Sequence, residues 1–287
     1  MPTFKPIKDI EKLQHLGKAD VHIHSCNSDG RPTVQQILDY VEEKTDLDVI
    51  AITDHDTMDG AFVAVELMRP STRLRAGKKP YRFELILGEE VSSQEGHVLS
   101  LFLTKPIKAG MSAHNTIKAV REQGGIAIAA HPFEHLRYRL PNGLTMDGVG
   151  LMTLLAEKKG WHGIEIVNAT PTLADENLRA AFINRTLLLK AETGSSDAHI
   201  VEAIGKGYTL FEGKTAAEFR HAIAHHQTQA MNARWNFYAL FRYAFFFIPV
   251  GLRLFFFTLI HGKSPKKIDI VNVPKDFVKE NKSQFEE

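Results

Sequence analysis

Short apolar runs and amphipathic stretches alternate along most of the chain. The runs Ala19–His24, Asp48–Thr53, Phe83–Val91, Val98–Leu103, Ile126–Ala130, Gly163–Val167, Leu187–Ala191 and Tyr208–Phe211 read as strands. Between them Thr33–Lys44, Met58–Leu67, Ser112–Glu122, Gly148–Lys158, Leu173–Asn184 and Thr215–His225 carry helical spacing. Thr33 and Thr215 stand where helix N-caps belong. Strands that alternate with helices need crossover connections. They predict an α/β fold with a mainly parallel sheet, open or closed into a barrel. In such folds ligands collect at the carboxyl ends of the strands.

The pattern changes near residue 228. From Phe219 to Ile268 there is no Asp or Glu, while Arg220, Arg234, Arg242, Arg253, Lys263, Lys266 and Lys267 supply seven positive charges. Eight of the 18 phenylalanines fall between Phe237 and Phe257. The sequence therefore divides into a mildly acidic globular domain, 1–228, and a basic, Phe-rich helical appendix with a polar tail, 229–287. Over the whole chain 35 basic residues meet 34 acidic ones, so the basic excess of a dedicated nucleic-acid binder is missing. A 44% hydrophobic content supports a packed core. One cysteine, Cys26, excludes an internal disulfide framework and points to a reducing compartment. No apolar run of secretory type is found in residues 1–18, so a cytoplasmic protein is expected.

Metal-ligating residue types recur at the ends of the predicted strands. His22 and His24 stand at i and i+2 of one strand, and so can present both imidazoles to one ion. Asp29 follows in a Ser-Asp-Gly turn. His55 lies in Asp54-His55-Asp56, after the second strand. Glu89 and Glu90 sit in the third run, His97 opens the fourth, His131-Pro132 follows the fifth, and Asp197-Ala198-His199 follows a Gly-Ser-Ser turn. A single histidine at a strand end is ordinarily a satisfied core or surface group. Six histidines and three carboxylates in the same topological position are another matter, because those positions converge on one rim. Imidazole and carboxylate without thiolate suit Zn, Mn or Fe. Asp20, Asp54 and Asp56 are candidates for orienting the histidine rings from behind. Cys26 reads as a bystander.

The blocks HIHSCNSDGRPTVQQILDYVEEKTDLDVIAITDHDTMDG, GEEVSS, the strand from His97, GGIAIAAHP, GIEIVN and GSSDAH resemble, in order, those of the PHP (polymerase and histidinol phosphatase) domain. The likeness runs from about Ala19 to Phe211. It implies a distorted seven-stranded (β/α) barrel of PHP type with a trinuclear metal centre. Carried over, His22, His24, Glu90 and Asp197 would hold one ion. Glu90 would bridge to a second ion on His97 and His131. Asp29, His55 and His199 would hold the third. Glu89 is the rival of Glu90, and strand alternation should turn it to the opposite face. His135 is a rival for the second ion.

The resemblance implies a metal-dependent phosphoesterase that cleaves a phosphomonoester of a nucleotide or other small molecule. Three divalent ions carry more charge than three carboxylates, so the pocket would attract phosphate. A hydroxide held between ions is the expected nucleophile. Arg137 and Arg139, after His131-Pro132, and Asn168, at the end of GIEIVN, are the expected substrate contacts. The alternatives are a non-enzymatic PHP-like scaffold and a PHP-type exonuclease.

Residues 235–260 hold only two charges, Arg242 and Arg253, which fall on one helical stripe with Phe246 and Pro249. Two arginines and a Pro-x-Gly break disfavour a simple span. A bent anchor lying in the head-group region fits better, with residues 234–267 attracted to an anionic membrane surface on the cytoplasmic side. The other reading is an aromatic helix pair packed on the barrel or in a homo-oligomer seam. No stable nucleic-acid partner is expected.

Overall fold

The computed structural model describes residues 15–71, 77, 79–134 and 148–245. Nine strands form one mixed sheet, in the order β7-β6-β5-β4-β3-β2-β1-β8-β9. They are β1 Leu16–Asp20, β2 Val49–Ile52, β3 Glu84–Ser92, β4 His97–Leu101, β5 Ile126–Ala129, β6 Gly163–Asn168, β7 Ala191–Ser195, β8 Gly207–Glu212 and β9 Gln229–Asn232. The helices are α1 Val34–Lys44, α2 Asp59–Met68, α3 Ala113–Glu122, α4 Gly150–Ala156, α5 Ala174–Ile183 and α6 Ala216–Ala224.

The sheet curls until β7 approaches β8 and β9. The Thr209 hydroxyl accepts from Gly194 N and donates to Gly194 O, both at 2.9 Å. A Cβ at Gly194 would meet Tyr208 O at 2.6 Å, so only glycine lets β7 pass so close. The wall is nearly closed.

The strand count and pairing differ from the seven mainly parallel strands expected. β1-β2-β3 and β5-β6-β7 are parallel, but β4 runs antiparallel to both neighbours, as does β8. The hairpin β3–β4 is made by Ser93 to Gly96, too short for a crossover. β9 continues the sheet past residue 228, where the appendix was expected to begin.

The run Leu187–Ala191 is not a strand. It contains the end of a π-turn, Asn184–Leu188, after α5, and Leu189 takes a left-handed conformation. The Asn184 side chain holds both Lys190 N and Lys190 O at 3.0 Å, which turns the chain into β7. Leu188, the last residue of that turn, is buried in the same core cluster as Ala180 of α5, so its hydrophobicity serves helix packing rather than a strand.

Local signals at the helix starts are satisfied. Thr33 and Thr215 each form a capping box, with Gln36 and Glu218 respectively. Thr33→Ala and Thr215→Ala are each expected to lower the unfolding free energy by about 1 kcal/mol in urea titrations. No loss at either position would contradict the assignment of those boxes.

The core lies on both sides of the wall. Ala19, Val21, Val49, Ala51, Leu99, Ile128 and Phe211 pack together with Phe219 and Ile223 of α6. The α6 helix touches β3, β7 and β8, strands from separate parts of the wall. It therefore stoppers the mouth at the amino ends of the parallel strands. The carboxyl ends open on the other mouth.

Residues 237–245 are helical. Ala239 and Tyr243 are buried, Tyr243 in the cluster formed around α1 and α2, while Phe237, Tyr238, Phe241 and Phe245 face outward. Trp235 donates to Ala169 O at 3.0 Å, which ties this helix to the end of β6. No helix among the described residues is long and apolar enough to cross a membrane. Residues 246–260 of the expected anchor lie outside the described residues.

Candidate metal centre

The nine side chains singled out from the sequence meet at the carboxyl mouth. His22 and His24 follow β1, and a bridge from Ile23 to Ala198 fixes them beside Asp197 and His199. A second bridge joins His55 to Glu90. Glu90 is the hub. One of its oxygens lies 3.2 Å from His22 Nε2, 3.4 Å from His24 Nε2 and 3.2 Å from His55 Nδ1. The other lies 3.0 Å from both His97 Nδ1 and His131 Nε2. Asp197 Oδ1 is 3.2 Å from His24 Nε2 and 3.6 Å from His22 Nε2. Asp29 Oδ2 is 3.2 Å from His199 Nε2 and 3.6 Å from His55 Nε2.

Four overlapping groups have ligand atoms close enough for one ion: His24, Asp29, His55 and His199; His22, His24 and Glu90; His22, His131 and Asp197; His55, Glu90 and His97. His24 belongs to two of them, since its Nδ1 faces Asp29 and its Nε2 faces Glu90. The residues fit divalent metal on a direct observation. His22 Nε2 and both ring nitrogens of His24 are fully buried without a hydrogen bond. Burying unmade donors and acceptors costs about 1–3 kcal/mol each. A cation shared among them removes that cost. The donor set is imidazole and carboxylate, and Cys26 is exposed outside every group.

The backbone is bent to present two of the nine. His131 and Asp197 have φ of 24° and 51°, a region costly for residues other than glycine. Both sit where a strand has just ended. Gly30 has a similar positional duty: a Cβ there would meet His24 O at 2.4 Å, so the turn carrying Asp29 folds tightly on the His24 backbone.

Electrostatics follow from the crowding. Burial pushes the Glu90 carboxyl up, but His22, His97 and His55 around it pull it well below the usual range. Burial opposes a charge on His22, yet Glu90, Asp197 and Glu165 raise it well above an ordinary imidazole. His199, also opposed by burial, is raised to about 9 by Asp29. His55 is the exception. Burial, with repulsion from His24 and His97, lowers it to about 3.

A chelated chain therefore holds protons that an ion must displace. Mn²⁺ uptake is expected to release protons and to tighten as pH rises from 6 towards 9, measured by titration in two buffers of different ionisation enthalpy. A pH-independent affinity would contradict this. The sign for stability is opposite. The Asp29–His199 pair stabilises the chelated fold fully below pH 6.5, and that contribution disappears as pH passes about 9.

The acids expected to orient rings do something else. Asp20 accepts from Ser196 N at 3.0 Å and Gly205 N at 2.8 Å. Asp54 accepts from Ser25 N, Ser25 Oγ and Ser28 Oγ, each at 2.7 Å, and so holds the loop that carries Asp29. Asp56 accepts from Ser92 N at 2.7 Å. These carboxylates fix loops, not imidazoles. Ring orientation comes from Glu165 and Glu134, which sequence reasoning missed. Glu165 Oε1 lies 3.0 Å from His22 Nδ1, and its Oε2 accepts from His131 N at 2.7 Å. Glu134 Oε2 lies 3.0 Å from His131 Nδ1. The signal for Glu165 was present: one acid inside the buried strand GIEIVN.

Glu89 points away from the cup, as alternation requires, and accepts from Ile107 N. Burial raises it to about 7. Asn168, expected to touch substrate, is buried and already committed. Its amide donates to Glu165 Oε2 at 3.1 Å and to Asp197 Oδ2 at 3.0 Å, and its carbonyl accepts from Thr170 N at 2.9 Å. It braces Asp197 instead. Arg137, Arg139 and His135 lie outside the described residues.

Comparison with known proteins decides the family. Residues 175–228 match the family model PHP_C, described as PHP-associated. The chain is 34% identical over 145 residues to the uncharacterized protein MJ1587 of Methanocaldococcus jannaschii, covering 46% of this chain and 79% of that protein. The chain belongs to the PHP family. Solved structures agree on the PHP fold. PsfC from Pseudomonas syringae PB-5123 superposes with a TM-score of 0.57 at 20% identity, over 81% of this chain and 98% of that one. A two-domain protein from Bacteroides vulgatus ATCC 8482, containing a predicted PHP-like metal-dependent phosphoesterase, gives 0.51 at 20% identity. That match covers 76% of this PHP chain but spans only 65% of the two-domain one.

Proposed function

We propose that this PHP chain is a metal-dependent phosphoesterase that hydrolyses a small phosphomonoester. The observation that carries the reading is the convergence of six histidines and three carboxylates around Glu90. His22, His24, Glu90 and Asp197 would hold one ion, Glu90, His97 and His131 a second, and Asp29, His55 and His199 a third; Mn, Zn and Fe suit these donors. Divalent ions in such a cup supply Lewis acidity towards a phosphoryl oxygen and an activated water near neutral pH.

The chain's own residues give the cup a direction. His22, His24, Glu90, His97 and His131 are buried, whereas the Asp29 side chain is 46% exposed and His55 23%. A phosphate would therefore enter over Asp29, His55 and His199. Beside that entrance lies a cavity of about 430 Å³ lined by Arg31, Gln36, Tyr40, Ile200 and Arg242. Arg31 N donates to His199 O at 3.0 Å, which ties the cavity wall to the metal group. Asp39 and Glu43 stand in the same lining beside Arg31, Lys44 and Arg242, and Arg242 faces Glu202 at 3.7 Å, so the cavity is of mixed charge and suits a polar leaving alcohol.

Arg242 also lies on the helix whose outer face carries Phe237, Tyr238, Phe241 and Phe245. Exposed aromatics and a basic stretch without acids favour a substrate at an anionic membrane surface. Phe241→Ser/Phe245→Ser should lose most flotation with anionic liposomes while keeping its fold. Equal flotation would refute the membrane reading.

The activity test is a panel of phosphomonoesters with Mn²⁺, run on the full chain and on His24→Ala. Wild type should turn over at least one class, and His24→Ala should be slower by at least about 10²-fold. Indistinguishable rates would favour a PHP-like scaffold without catalysis.

A further inference from the structure

A second cluster lies at the far mouth of the barrel. A cavity of about 250 Å³ is lined by Arg121 at the end of α3, Gly124 and Gly125 before β5, His162 before β6, and Arg220 and Ile223 of α6. Ile126 opens β5 there, and His131 stands beyond its other end. Five residues of extended chain separate the two sites by about 17 Å. The cavity is thus distinct from the metal cup.

Its polar groups are held in place with donors to spare. Arg121 Nη1 donates to Lys159 O at 3.3 Å, and Arg220 Nη2 donates to Gly124 O. Arg220 also lies over the Phe102 ring, 4.9 Å from its centre. A guanidinium has five N–H donors, so most remain unused on each arginine. His162 Nδ1 accepts from Ala127 N at 3.0 Å. The neutral ring must then carry its proton on Nε2, another donor.

Charge in this region is uncompensated. Burial lowers His162, and Arg121, Lys190 and Arg220 lower it further. Burial likewise lowers Lys190, with added repulsion from Lys158 and Arg121. Among the described residues no carboxylate forms an ion pair with Arg121, Lys158, Lys190 or Arg220. A helix C-terminus attracts one cation by its dipole, which accounts for Arg121 alone. It does not account for Arg220 and His162, which reach the same cavity from other elements. The volume is smaller than the 300–1,000 Å³ typical of drug-sized ligands and suits a small, multiply charged anion.

We propose that the cavity between Arg121, His162 and Arg220 is a binding site for a free phosphate-type anion, separate from the metal cup. Arginine forks match phosphate oxygens, and the neighbouring lysines add attraction without crowding the cavity.

The test is calorimetric titration of the full, metal-loaded chain with inorganic phosphate at fixed ionic strength. Two classes of site are expected. Arg121→Gln/Arg220→Gln should weaken one class at least tenfold and leave phosphatase activity unchanged. Asp197→Ala should remove only the other class, so failure of the catalytic reading would show separately. Lys206→Gln/Arg234→Gln, at the opposite mouth, removes the same charge and should leave both classes intact. An unchanged titration for Arg121→Gln/Arg220→Gln, or an equal loss in the Lys206/Arg234 variant, would overturn the proposal. Flotation of Arg121→Gln/Arg220→Gln with anionic vesicles should match wild type. A loss there would assign the cavity to a lipid head group and overturn the free-anion assignment.

Discussion

Glu90→Gln is expected to abolish most activity and most metal retention while leaving the fold intact. The substitution keeps the side-chain volume in a site that is 1% exposed, so no cavity forms. It removes the one negative charge that faces His22, His24, His55, His97 and His131 together. It also places an amide donor among ring nitrogens that should meet only acceptors or cations. Outer partners of metal ligands typically contribute 10- to 100-fold to metal affinity or activity, and Glu90 faces the ring nitrogens directly, so activity should fall by at least about 10²-fold. Steady-state rates in Mn²⁺, with near-UV circular dichroism as the fold control, read this directly. A loss below about tenfold would mean that Glu90 is not the hub.

The second large effect is expected at a residue that touches no substrate. Glu165 joins three parts of the site: His22 Nδ1, His131 N and the Asn168 amide. Glu165→Gln turns one acceptor into a donor. Either His22 loses the acceptor that fixes its ring, or His131 N loses its partner. Outer partners of this kind typically contribute 10- to 100-fold to metal affinity or activity. Glu165→Gln should therefore weaken Mn²⁺ binding about 10- to 100-fold, with a parallel fall in kcat/KM. A merely structural role would instead lower Tm and leave the metal affinity of the folded fraction unchanged. That outcome would remove Glu165 from the account.

These two residues mark what the sequence made legible. The family-like G-x-E spacing favoured Glu90 over Glu89; strand alternation then required Glu89 to face the other way, and it does turn away towards Ile107. The nine candidate ligands could be named because each follows a strong strand or turn signal. Glu165 was hidden because a buried acid inside an apolar strand shows its purpose only when its partners, 143 and 34 residues away, are known. Asn168 misled for the same reason: at a strand end it looked available, but three neighbours occupy it.

The fold was legible to the same depth. Alternating strands and helices announced an α/β fold with the sheet open or closed, the resemblance to the PHP domain implied the barrel, and the capping boxes at Thr33 and Thr215 placed two helices closely. Leu187–Leu189 deceived because three leucines suit a helix end as well as a strand. The strand Gln229–Asn232 was missed because it is short, polar on one side and lies at the sheet edge, where period-two patterning is weak. The direction of β4 follows from the short hairpin between Ser93 and Gly96, which the seven-residue spacing from Glu90 to His97 made legible.

The basic end of the barrel belongs to a different level of reading. Arg121, His162 and Arg220 are unremarkable in the sequence and far apart in it. Only the placement of α6 across the amino mouth brings them to one cavity.

The metal content of the full chain, purified without chelators and measured by inductively coupled plasma mass spectrometry, tests the central claim most directly. The nine-ligand cup predicts about three transition-metal ions per chain. Less than one ion per chain, with no uptake on incubation with Mn²⁺ or Zn²⁺, would contradict it.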